Sequence, residues 1–231
     1  RPISASTWPT EVELLRELVA VPSVSGEEEA VAALVEERAR GWGLPVVRDA
    51  AGVSVRIAGK APGRTLALVS HLDVVPPGSG WTRDPFTPVI EGGRLFGRGS
   101  GDAKASVAAM LTAAHDVAAG GGPRRGDLLL LFGLGEETRN TSMPDLVARS
   151  GPVDAAVVGE ATDLDFAIAQ RGLMMLDLVA RGDQRHAGLL VVHEVAVLEV
   201  PAVLPAALAV VRRGDDQRVV VEPLLAQAVE Q

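Results

Sequence analysis

The hydrophobic positions open with two helical stretches. Val12, Leu15, Leu18 and Val19 fall on one face of a helix, and Thr10 with Glu13 has the spacing of a capping box. Pro22 stops that helix. Ser25 and Glu28 repeat the box ahead of Val31, Leu34 and Val35, which predicts a second helix ending near Gly41. Residues 45–49 and 53–58 read as short strands with turn signals between them. Three compact apolar runs follow at 65–70, 128–132 and 155–158, the pattern of strands buried on both faces. Between the first two, Val107, Met110, Leu111, Ala114 and Val117 share one face of a helix over 102–119, ended by Gly120 to Gly122. Residues 76–88, rich in Pro and Gly, read as a loop. Strand and helix alternating in this way predict an α/β fold, a mainly parallel sheet with helices on both faces.

In such sheets the ligand crevice lies beyond the carboxyl ends of the strands. His71 and Asp73 follow the first apolar run, Glu136 and Glu137 the second, and Glu160 the third, while Asp102 stands at the start of the intervening helix. Each piece has a bland reading. His71 and Asp73 could be a polar pair at a strand end, and Glu136–Glu137 and Glu160 could be solvated helix starts. Gly97–Asp102 could be a glycine turn with Asp102 as a helix cap. That loop lacks the Gly-Lys-Ser/Thr ending of a phosphate loop, and Asp102 would repel a phosphate. The bland readings explain poorly why the groups follow three separate strands. His115 sits on the flank of its helix and reads as structural.

Composition narrows the chemistry. The 231 residues are 47% hydrophobic and 23% charged, which excludes a disordered or collagen-like chain. A net charge of −8 with 3% aromatics is wrong for a nucleic-acid platform. The absence of cysteine excludes a disulfide framework, a zinc finger and a thiol nucleophile. No apolar run reaches ~18 residues, and the first ten residues hold no apolar core of signal-peptide length, so no membrane association is expected and the cytoplasm is the expected location. Five carboxylates converging on one crevice would repel one another strongly unless cations neutralised them. Imidazole and carboxylate donors without sulfur suit zinc, manganese or cobalt, and a pair of ions ~3.5–4 Å apart would support hydrolysis.

The motifs His71–Gly78 (HLDVVPPG), Trp81-x-x-Asp-Pro-Phe86, Gly97–Lys104 (GRGSGDAK), Gly135-Glu-Glu137, Gly159-Glu-Ala-Thr162 and Arg171-Gly172 occur in one order over residues 11–188. Together they resemble the M20 zinc amidohydrolases, a group that includes acetylornithine deacetylase, succinyl-diaminopimelate desuccinylase, aminoacylases and glutamate carboxypeptidases. The resemblance implies two zinc ions. His71 and Glu160 would hold one, Glu137 the other, and Asp102 would bridge them. Asp73 would orient His71, and Glu136 would be the general base. His186, in Gly182-x-x-x-His186-Ala, is similar to the family's second-domain His, which stabilises the oxyanion, often across a dimer interface. The implied substrate is an N-acyl amino acid, with acetylornithine or acetyl-lysine favoured. A dipeptide or carboxypeptidase substrate is the alternative within the family, and an inactive fragment is the alternative outside catalysis.

By the same resemblance, residues 1–172 would be the metal-binding domain, and 173–231 the start of a lid and dimerisation domain followed by an atypical tail. After Gly188 the chain is crowded with Val, Leu and Ala and does not resemble the family, and the family's last metal His has no counterpart there. Lys occurs only at 60 and 104, Asn only at 140, and Tyr never, which fits a GC-rich gene. A shifted reading frame is the favoured explanation of the tail, and a genuine variant that closes the core differently is the other. Without that His, the second metal has only Asp102 and Glu137, short of the three protein ligands usual for catalytic zinc.

Overall fold

The computed structural model describes residues 9–162, 165 and 167, and four strands beyond them. Two compact units divide the chain, Arg1–Leu164 and Asp165–Gln231. The first contains α1 (Pro9–Ala20), α2 (Glu29–Gly41), β1 (Val46–Asp49), β2 (Gly52–Ile57), β3 (Leu66–His71), a small hairpin of β4 (Val89–Glu91) and β5 (Arg94–Phe96), α3 (Lys104–Ala119), β6 (Leu128–Gly133), α4 (Ser142–Ser150) and β7 (Ala155–Val158).

The central sheet has the order β1-β2-β6-β3-β7. β3 pairs in parallel with β6 on one side and β7 on the other, while β2 is antiparallel to both β1 and β6. Four of the five strands therefore point one way and only β2 runs against them. The sheet is mainly parallel, as the alternating pattern predicts.

β6 shows why the apolar runs lack alternation. All six of its residues are buried. Leu128, Leu130 and Phe132 join the core shared with α1, α2 and α3, whereas Leu129 and Leu131 join a smaller core with Leu146 of α4. Successive side chains point to opposite faces of a strand, so both faces demand apolar residues when helices cover both. β7 departs from that expectation. It pairs only with β3 among the described strands, and all four of its residues are exposed, Val158 at 59%. Its apolar run marks an edge strand that the described helices leave uncovered.

The helix starts also differ from their sequence reading. Thr10 already lies inside α1, and Glu13 pairs with Arg16. α2 begins at Glu29, after a Glu28 that makes no side-chain cap. Asp102 precedes α3 by two residues and does not cap it; Ala103 occupies the cap position. The N-terminus of α3 is tied down instead by Lys104, which is wholly buried. Its ammonium donates to the carbonyls of Leu18 and Val21, satisfying the C-terminal end of α1 at 2.9 and 2.8 Å. Burial lowers its pKa to about 8.

In the second unit, β8 (Gly172–Leu176) pairs antiparallel with β9 (Ala196–Val200), and β10 (Ala209–Arg213) pairs antiparallel with β11 (Val219–Pro223). The rest of the tail lies outside the described residues.

Candidate metal centre

The site forms where β3 and β6 end side by side, with β7 next in line. His71 is the last residue of β3 and is 1% exposed. Its Nε2 lies 3.2 Å from Asp102 Oδ1 and 3.7 Å from Glu160 Oε2. Its Nδ1 faces Asp73, 3.1 Å from the backbone carbonyl and 3.3 Å from Oδ1. Donor atoms of His71, Asp102 and Glu137 all lie within 4.8 Å of one another. Asp102 is brought there by the turn of residues 97–103, whose Gly99 has φ +81°. A Cβ at Gly99 would meet Val74 Cγ1 at 2.5 Å, so the turn can lie against the chain beyond β3 only as glycine.

Asp73 is fully buried and works as a hub. It accepts hydrogen bonds from the Ser25 hydroxyl at 2.7 Å and from the backbone N–H groups of Glu136 and Glu137 at 2.9 and 3.0 Å. Burial opposes its ionisation, but the His71 imidazole, Ser25 and those two N–H groups outweigh it and hold the carboxyl at about 2. Burial also opposes protonation of His71, and here Asp73 and Glu160 win, raising the imidazole to about 11. Burial pushes the Glu136 carboxyl up; His71 opposes this, while Glu160, Asp73 and Asp102 add to it. Glu137 is raised by burial first and by Asp102 next.

These donors suit a divalent cation. One imidazole nitrogen faces two carboxylates, a third carboxylate completes the cluster, and burial first, then neighbouring carboxylates, raise Glu136 and Glu137. His71, Asp73, Asp102, Glu136, Glu137 and Glu160 all fall in this one region: five of them lie at or just after the ends of β3, β6 and β7, and Asp102 comes from the turn before α3. His186 and Arg171 lie outside the described residues.

Two residues of the site were hidden by a local pattern. Ser25 and Glu28 have capping-box spacing, yet neither caps α2. Ser25 serves Asp73, and the buried Glu28 carboxylate accepts the Gly135 N–H at 3.0 Å. The segment that carries them runs beside the chain after β3: Val24 bridges Val74, Val74 N–H donates to Ser23 O, and the Ser23 hydroxyl donates to Leu72 O. The signal available in sequence was the S-x-x-E spacing itself, which fits either use.

The sequence model of peptidase family M20/M25/M40 matches residues 67–230. The chain belongs to this family. The match takes in every residue of the site except Ser25 and Glu28, and it runs on across the stretch after Gly188 that reads as unlike the family. Solved structures agree on the fold. An M20 family metallo-carboxypeptidase from Sulfolobus solfataricus is 25% identical with a TM-score of 0.58, over 64% of this chain and 37% of that one. Human carnosine dipeptidase 1 is 21% identical with a TM-score of 0.58, over 71% and 40%. A tripeptidase from Staphylococcus aureus is 22% identical with a TM-score of 0.55, over 66% and 43%. The chain thus spans about two fifths of the length of these solved structures.

Proposed function

We propose that this chain carries the centre of a metal-dependent hydrolase that cleaves the amide bond of a small peptide or an N-acyl amino acid. The observation that carries the reading is the cluster of His71, Asp102 and Glu137 donors, within 4.8 Å of one another, at the strand ends of an M20/M25/M40 chain.

In this reading His71 and Glu160 would hold one ion and Glu137 a second, with Asp102 placed to offer a carboxylate oxygen to either. Zinc is the first choice, with cobalt or manganese able to replace it. Divalent ions held there supply Lewis acidity towards the amide carbonyl and make water a competent nucleophile at neutral pH. Glu136 takes a proton from the attacking water on its carboxylate and returns it to the leaving nitrogen. Asp73 fixes the tautomer and aim of His71 through Nδ1. By the motif resemblance alone, His186 would steady the charge developing on the carbonyl oxygen.

Small peptides are the first substrate class to test, because the solved relatives above are a carboxypeptidase, a dipeptidase and a tripeptidase. The N-acetylornithine or N-acetyl-lysine reading rests on the motif resemblance alone. The full chain, loaded with zinc, is assayed on dipeptides, tripeptides and N-acetyl amino acids. Glu136→Gln is expected to lower the rate by about 10²–10⁴-fold while metal content stays the same. A rate that survives the substitution, or a chain that binds no metal, would sink the assignment.

A further inference from the structure

Three consecutive backbone N–H groups, those of Gly135, Glu136 and Glu137, are held by two buried carboxylates from different parts of the chain. Asp73 takes the second and third, and Glu28 Oε1 takes the first at 3.0 Å. Gly135 has φ +65°, a left-handed conformation that starts the turn, and its carbonyl accepts the Thr138 and Asn140 N–H groups. The turn carrying Glu136 and Glu137 is therefore pinned at its first residue from outside, by a side chain 107 positions away in sequence.

We propose that Glu28 is a positioning residue: its carboxylate holds the Gly135 amide so that the turn presents the Glu136 and Glu137 side chains at fixed places in the centre. The proposal rests on the roles given to Glu136 and Glu137 above. Asp73 holds the middle of the turn and Ser142 Oγ accepts the Leu134 N–H just before it; with the Gly135 amide released, the backbone between these two anchors can shift. A shift of an ångström at Glu136 would misplace the proton it carries. Glu28 does this as an acceptor, so the negative charge is dispensable and the oxygen is not.

Glu28→Met and Glu28→Gln separate these terms, since both fill the buried space and only Gln keeps an oxygen that can accept. Hydrogen–deuterium exchange is followed over residues 133–140 of the full chain loaded with zinc. Glu28→Met is expected to speed exchange there about tenfold or more, with β3 exchange unchanged, and Glu28→Gln to stay close to the parent. On any substrate the parent cleaves, Glu28→Met lowers kcat by about 10–100-fold with little change in KM, and Gln restores it. Equal exchange in the Met variant and the parent overturns the proposal, as does a Gln variant that behaves like Met. If Glu28→Met does not fold, amide-resolved exchange on the parent decides: Gly135 must be protected like Glu136 and Glu137, and exchange as fast as at Arg139 overturns it. A parent that cleaves nothing counts against the hydrolase reading and leaves the exchange result standing.

Discussion

Asp73 concentrates more of the site than any residue that would touch an ion. Its two oxygens face the His71 ring, the Ser25 hydroxyl and the N–H groups of Glu136 and Glu137. Asparagine there keeps the shape but turns one acceptor oxygen into an NH2 donor facing donors. Asp73→Asn is therefore expected to weaken zinc binding by about 10–100-fold and to destabilise the fold by about 1–3 kcal/mol. Titration calorimetry and urea unfolding read the two effects separately, and an unchanged zinc affinity would show that the hub does not orient the donors. At this scale the sequence reading placed these side chains in one region, because His71, Glu136, Glu137 and Glu160 follow apolar runs, Asp102 stands at a helix start between them, and strand ends are where α/β sheets place ligands. It missed Ser25 and Glu28 because their spacing had a sufficient local explanation. A capping box and a long-range hydrogen bond use the same two residue types, and only the fold decides which partner they meet.

Elements bring the donors together through close approaches that side chains would spoil. Gly159, just before Glu160, is such a point: a Cβ there would meet Ser106 Cβ at 2.6 Å and Met110 Cε at 2.7 Å on α3. Met110 can swing aside, but Ser106 Cβ is fixed to the helix backbone. Gly159→Ala is expected to push the end of β7 off α3, at a cost of about 1–3 kcal/mol, and to weaken metal binding through Glu160. Adding Ser106→Gly removes the obstacle at a helix cost of about 1 kcal/mol. The double variant should then bind metal better than Gly159→Ala alone, and strictly additive effects in the cycle would refute the contact. The central-sheet strands and α1 to α3 were legible in sequence to within a few residues, since periodicity reports burial directly, whereas the short β4–β5 hairpin and α4 had no reading. The failure at β7 has the same root. An apolar run says that a strand can be covered on both faces, and its neighbours determine whether it is.

Across the first unit, the donors come from four stretches of chain: the end of β3, the turn before α3, the turn after β6 and the segment after β7. That order of elements was readable in advance, and so was the family, because the motifs are short and rigidly spaced. The second unit was less readable, since after Gly188 the sequence is a run of β-branched and small residues that many folds could use. The four-stretch origin of the site has a thermodynamic consequence. A cation that bridges distant segments binds the folded unit and finds no such cluster in the unfolded chain, so it stabilises by mass action. Zinc at 100 times its dissociation constant adds about 2.7 kcal/mol. For a unit of this size that is a rise of roughly 5–10 °C in the thermal midpoint, reversed by a chelator. In the proposed assignment one ion takes His71, Glu160 and Asp102, and a second takes only Asp102 and Glu137 among the described residues. The rise should therefore follow a single tight equivalent of zinc, and Glu160→Gln should remove more of it than Glu137→Gln. A midpoint that climbs with a second equivalent as strongly as with the first would mean that another donor, beyond these residues, completes the second position.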